Sequence, residues 1–374
     1  MSKPGMSKPG MSTPVIIAAR RTPIDHVRGA LREDSAADLA ATVWRSLRAD
    51  VPSLTPGDVI LGLARGPGGN PARVSALAAG WPVEVPAVTV DRQCGAGLDA
   101  LCLAAAEIAS GSSRVIAAGG AESASGAEPG RATFAPLEFG DPDMGPAADD
   151  LARRRGITRE RQDRYAARSH ARAVRARDTG AFDDEIIPMR EVSRDRRPRE
   201  VSDAVLARAP GAFGDSGTVT AGNCSPVSDG AAGVLVVARE VAADLGLPGL
   251  AIRGWARAGV DPRWPGLGPT PAVRTALDRA GITLAEMDRF EITEAFAAQT
   301  LAVLDDLGIA EDDARVCADG GAIALGHPWG ASGAILAVRL FTALVRHGHG
   351  RLGVATCAIG GGQGVAIVVE KVEP

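Results

Sequence analysis

The feature that most constrains this chain is the repeated alternation of short apolar runs with helix-length segments. "PVIIAA" (14–19), "DVILGLA" (58–64), "AVTVD" (87–91) and "RVIAAGG" (114–120) read as strands, with helices expected after Asp34–Ser35, after Asn70 and after Cys94. Alternation of this kind specifies an α/β fold assembled from βαβ units. Strand signals resume at "GVLVVA" (233–238), "LAIRGWARAGV" (250–260), "RFEIT" (289–293), "RVCA" (315–318) and "GVATCAI" (353–359), separated by helices near 270–280, 294–307 and 333–347. Between 121 and 217 the pattern gives way to Gly, Pro, Asp and Arg around one clear helix, N-capped by Thr158 and stopped near Gly180. That stretch reads as an insertion.

A weak internal echo organises the rest. Residues 95–120 and 330–361 both run from a glycine turn through a helix into a strand that ends in glycines, which implies a duplicated α/β unit. The expected division is 13–120 plus 218–242 for the first half, 121–217 for the inserted loop domain and 243–374 for the second half. "MSKPG" occurs twice in 1–10, so 1–12 reads as a leader or tag. If the halves pack with approximate two-fold symmetry, the Cys94 turn and the glycine loops of the second half meet at one site.

Composition narrows the function. At 374 residues and 45% hydrophobic content the chain can bury a large core, and a net charge of −4 gives no global field for nucleic acid or an anionic membrane. Five scattered cysteines form neither a disulfide framework nor a zinc pattern, so no metal is expected. With no signal peptide or spanning helix evident, the cytoplasm is the expected compartment.

Chemistry concentrates in a few places. Cys94 in "TVDRQCGAGLDAL" (89–101) stands where a strand stops and a glycine-flanked helix begins. A helix N-terminus carries about half a positive charge, which lowers a thiol's pKa from roughly 8.5. Cys94 is therefore read either as an activated nucleophile or as a small buried residue. His327 lies in the glycine-rich turn "GGAIALGHPWGASGA" (320–334), and Cys with His elsewhere in the chain is a candidate nucleophile pair. "ATCAIGGGQG" (355–364) offers N–H groups for an oxyanion or is simply a tight turn. Cys102 falls on an apolar helical stripe, and Cys224 and Cys317 read as structural. The arginines between 153 and 199 fit either phosphate contacts or a solvated face.

"CGAGL" (94–98), "TVTAGNCSPVSDGAA" (218–232), "EAFAAQ" (294–299), "GGAIALGHPWGASGA" and "IGGGQG" together resemble the thiolases, in order and spacing, from about Thr13 to Glu370. The resemblance implies a layered α/β/α/β/α fold of two related halves with an inserted loop domain, and acyl transfer between coenzyme A and a carbon nucleophile. It implies Cys94 as the acylated nucleophile, with its own N–H and that of Gly360 holding the thioester oxygen. His327 then polarises the second thioester and helps activate the thiol. Ser225, Met144 and Phe296 fall at substrate-binding positions. A coenzyme A thioester is a substrate here, with no permanently bound cofactor, and an acyl carrier protein is the other possible donor.

Departures from the family pattern are specific. Thr293 stands where an asparagine normally positions a water in the oxyanion hole. Ala358 occupies the place of the second catalytic cysteine, and Cys357 is displaced by one residue. One residue of slip in an extended strand turns a side chain to the opposite face, unless a bulge restores it. Asp143 occupies a position where many members carry a histidine, and the short loop after "AESAS" (121–125) implies a homodimer. Three functions follow: reversible Claisen chemistry on a 3-ketoacyl-CoA, acyl transfer from Cys94 to another acceptor, or a noncatalytic acyl-CoA-binding subunit.

Overall fold

A computed structural model describes residues 12–128, 130–214 and 216–374, so the leader expected over 1–12 lies almost wholly outside the described residues. Among the described residues ten strands form: β1 (Pro14–Arg21), β2 (Asp25–His26), β3 (Asp58–Gly62), β4 (Ala87–Val90), β5 (Val115–Ser123), β6 (Ser228–Ala238), β7 (Gly249–Gly259), β8 (Arg289–Ile292), β9 (Leu352–Ile359) and β10 (Gln363–Val372). They order as β4-β3-β5-β6-β1-β7-β10-β9-β8, with β2 beside β6.

The duplication expected from the echo is visible in this order. Leaving out β2, the first half runs third-second-fourth-fifth-first, with its fifth strand antiparallel to both neighbours. Counted from β7, the second half reads the same way, with the third position reduced to the parallel bridge Phe290–Val316. The halves join through two antiparallel pairs, Val15–Ala251 and Ile16–Leu250. "RVCA" is thus a single bridge rather than a strand, while β10 extends well past the last predicted one.

Two helices, Ala96–Ser110 and Trp329–Phe341, pack against each other between the sheets of the two halves. The helices Ala36–Asp50 and Pro71–Ala78 cover the outer face of the first sheet, and Pro269–Ala280 covers that of the second. These are the five layers expected. The two central helices touch backbone to backbone. A Cβ on Gly97 would sit 2.6 Å from the Gly330 carbonyl oxygen, and one on Gly333 would sit 2.5 Å from the Leu98 backbone nitrogen. The glycines of both motifs are therefore needed for close approach, as well as for turns. Residues 329–346 are long and apolar enough to cross a membrane, yet 83% of that span is buried inside the fold.

Among its described residues the insertion holds three α-helices instead of one: Met144–Arg155, Arg159–Asp178 and Asp203–Arg208. Thr158 caps the second as expected, accepting from the Arg161 N–H. Several arginines of this region are committed within the chain. Arg161 pairs with Asp305 at 2.6 Å and with Glu311, and Arg155 pairs with Asp306 at 2.9 Å, docking the insertion on the second half.

A buried ionic cluster fastens the same region to the core. Arg21 contacts Glu185 and Asp195, each at 2.7 Å, while Arg339 on the central helix pairs with Glu185 and, at 2.5 Å, with Asp319. Arg21, Glu185 and Asp195 are essentially inaccessible. Carboxylates left without their guanidinium partners there would be uncompensated buried charges.

Candidate functional site

Cys94 occupies a single turn of 3₁₀ helix, Gln93–Gly95, between β4 and the first central helix. The preceding Gln93 has φ of 49°, uncommon for a residue with a side chain, and its N–H donates to Asp91 Oδ1 at 2.6 Å. This forced elbow presents the thiol. The turn packs against both the start of the Trp329–Phe341 helix and the end of β9, bringing Cys94 to the seam between the halves. Among the described residues, the Gly360 N–H donates to no protein backbone acceptor outside the helices and strands.

The expected low thiol pKa is not found. Burial pushes Cys94 up to about 12, and negative charge on Cys357, Glu122 and Asp91 acts in the same direction. The positive end of the helix does not offset removal from water. His327 is buried, and desolvation brings its imidazole down to about 4. Both groups are therefore neutral at pH 7.

A strap over 223–227 aligns the second-half loops. Asn223 O accepts from Ala297 N, Ser225 N donates to Ala295 O, and Pro226 O accepts from His327 N, each at 2.9 Å. Ser225 and Phe296 are held next to one another in this way, and the following helix begins at Ala297 because 294–296 belong to the strapped loop. His327 Nδ1 lies 2.6 Å from Ser332 Oγ, and that hydroxyl donates to the Pro328 carbonyl at 3.2 Å. With the hydroxyl proton so placed, Nδ1 carries the imidazole proton and Nε2 keeps its lone pair.

Strand parity settles Ala358 and Cys357. β9 and β10 pair without a shift from Leu352–Glu370 to Ile359–Gln363, so no bulge rescues Cys357. Ala358 lines a small cavity with Met144, Ala295, Phe296 and Gln299. Cys357 faces the central layer, where its sulfur accepts a hydrogen bond from Thr293 Oγ1 at 3.1 Å and burial pushes its thiol up to about 12. Thr293 thus spends its only proton on Cys357 and keeps only acceptor capacity on its oxygen. Asp143 is paired with Arg131 on the surface and stands at the N-cap of the Met144–Arg155 helix.

Gly360 sits beneath the Phe134 ring, and the two glycines after it have φ of 79° and 78°. Their conformation makes the turn accessible only to glycine without strain. Cys102 and Cys317 are buried in the core, as read from the sequence.

Two acids escaped the sequence reading. Glu122 accepts from the N–H groups of Ala64 and Arg65 at 3.2 Å and of Gly330 at 2.9 Å, tying the central helix to the first half beside Cys94, and burial pushes its carboxyl up to about 7. Glu294 accepts from Tyr165 at 2.9 Å and Ser169 at 2.6 Å, anchoring the insertion to the strapped loop. Neither shows itself in one sequence, since each acts through groups distant along the chain.

Comparison with known proteins agrees with this architecture. The thiolase N-terminal domain family matches residues 14–240 and the thiolase C-terminal domain family matches 248–371. The chain belongs to the thiolase family. An acetyl-CoA acetyltransferase of Pseudomonas aeruginosa is 44% identical over 392 residues, covering 96% of this chain and 99% of that one. The crystal structure of the Bacillus anthracis acetyl-CoA acetyltransferase superposes with a TM-score of 0.90 at 37% identity, covering 98% of this chain and all of that one. Human mitochondrial 3-ketoacyl-CoA thiolase in complex with CoA gives a TM-score of 0.89 at 32% identity, over 97% of this chain and 98% of its own.

Proposed function

We propose that this protein is a thiolase-type acyltransferase that takes an acyl group from an acyl-CoA onto Cys94. The observation that carries the reading is the elbow at Gln93–Gly95, which presents a thiol at the junction of the halves beside the strapped loop bearing His327. With the thiol raised to about 12 and the imidazole lowered to about 4, a preformed thiolate–imidazolium pair is disfavoured at neutral pH. Proton transfer therefore accompanies attack. His327 Nε2 takes the thiol proton as the Cys94 sulfur bonds to the thioester carbon, the C–S bond to coenzyme A breaks, and the imidazolium returns the proton to the departing thiolate. The N–H groups of Cys94 and Gly360 stabilise the oxyanion.

In the second half-reaction an acetyl-CoA carbanion attacks the acyl-enzyme, giving a 3-ketoacyl-CoA, and thiolysis is the reverse. Met144, Phe296 and Ser225 line the substrate side. The methyl of Ala358 at the position of the family's second cysteine favours a second reading of the acceptor, one that already carries an acidic proton and needs only His327. Thiolysis of acetoacetyl-CoA by free coenzyme A, followed for the native protein and for Cys94→Ala and His327→Ala, tests the first reading. Loss of turnover in both variants supports it, and turnover in Cys94→Ala refutes it.

The assembly is a homodimer in this account. β4 is the outermost strand of the first half, and Val88 on it and Val83 just before it are exposed. An apolar free edge of this kind invites pairing with a second copy. Light scattering on the purified protein is expected to give twice the chain mass, and a monomer or tetramer contradicts it. All five cysteines are free thiols, which supports a reducing, cytoplasmic setting.

A further inference from the structure

Beside Ser332, the partner of His327 Nδ1, lies a small cavity of about 20 Å³ bordered by Glu291, Thr293, Ser332 and Arg339. Such a space accepts one water, which needs about 10–15 Å³ and two to four polar partners. Its walls supply them. Arg339 is buried and already committed to Glu185 and Asp319, but its Nε–H has no partner. Glu291 is buried on β8, and among the described residues its carboxyl makes no hydrogen bond or ion pair. A polar group left so is costly unless something bridges it. Ser332 supplies the third wall, and its hydroxyl is the group bonded to His327 Nδ1.

We propose that the cavity holds one ordered water bridging Glu291, the Arg339 Nε–H and the Ser332 hydroxyl, making Glu291 a positioning residue that acts on His327 through Ser332. The inference rests on the reading of His327 as the base for Cys94. When Glu291 is ionised, the water donates one proton to it and the other to Ser332 Oγ, which keeps its own proton on the Pro328 carbonyl and accepts from His327 Nδ1–H. That chain stabilises the imidazolium formed as the thiol proton arrives. When Glu291 carries a proton, its negative charge is gone and the imidazolium loses that support.

The charged groups facing Glu291 are Arg339 from the central helix, Asp319 from the loop before it, and Arg289 and Glu294 from its own segment. Two of these are cations and two are acids. Desolvation outweighs them and pushes the carboxyl up to about 8, so its ionisation falls within the working range of the assay.

The experiment measures the single-turnover rate of Cys94 acetylation by acetyl-CoA from pH 6 to 9.5, for the native protein, Glu291→Gln and Glu291→Asp. The isosteric Gln variant keeps the volume and a hydrogen-bonding side chain but cannot titrate. The native-to-Gln rate ratio is expected to rise on the order of tenfold across pH 8, the scale of an outer-partner effect, with KM for acetyl-CoA unmoved. Glu291→Asp is expected to restore the rise, because it still titrates. A ratio that stays flat with pH, or an Asp variant behaving as Gln, overturns the inference even where both variants are fully folded by thermal melting. Absence of acetylation in the native protein instead overturns the reading of Cys94 and His327 on which it rests.

Discussion

Ala358→Cys puts a sulfur into the cavity lined by Met144, Phe296 and Gln299, on the face of β9 away from Cys357. The cross-strand partner of Ala358 is Gly364, so the new thiol meets no side chain from β10. The cavity measures about 10 Å³, smaller than a sulfur atom's added bulk, and the overpacking costs about 1 kcal/mol of stability. Against that, a positioned general base accelerates proton removal by about 10²–10⁴-fold. If the missing base limits condensation, acetoacetyl-CoA formation from acetyl-CoA rises by about 10²–10⁴-fold. The assay follows acetoacetyl-CoA, normalised to the fraction of acetylated protein determined by intact mass. Unchanged condensation at full acetylation refutes the reasoning, because another group then already removes the α-proton. The double variant Ala358→Cys/Cys357→Ala is expected to keep the gain, since Cys357 sits on the opposite face.

Removing Glu185 by Glu185→Ala leaves Arg21 and Arg339 short of a buried partner, with an expected loss of about 3–5 kcal/mol in denaturant unfolding; a loss under about 1 kcal/mol contradicts the account of the cluster. Folding favours neutral His327, whose value falls from 6.5 to about 4, so the unfolded chain binds the extra proton between those limits. The stability His327 contributes is therefore complete above pH 6.5 and lost as pH falls towards 4, by about 3 kcal/mol relative to His327→Asn. A pH-independent difference between the two proteins refutes that assignment. Dimer mass by light scattering completes the set.

How far the sequence carries the argument differs from residue to residue. The βαβ alternation and the echo between 95–120 and 330–361 anticipate a duplicated fold because period and order survive in one dimension. The consequence of Ala358 was legible for the same reason, since strand parity needs only counting. "RVCA" failed because apolar composition permits a strand without supplying a partner, and only Val316 finds one. The Met144–Arg155 helix was hidden by its Gly145–Pro146 start, although Pro is well tolerated in a first turn. The pKa of Cys94 was misread because helix-end charge can be inferred locally, whereas desolvation depends on what folds over the thiol. Ser332, Glu291 and Arg339 meet only because β8 and the central helix face one another, and no spacing along the chain encodes that.

The central claim is acyl transfer through Cys94. Its most direct test is the intact mass of the protein after incubation with acetyl-CoA, beside a Cys94→Ala control and with the modified peptide mapped. The account predicts a single acetyl adduct on Cys94 that free coenzyme A removes. An adduct that persists in Cys94→Ala, or no adduct with any acyl-CoA, contradicts it.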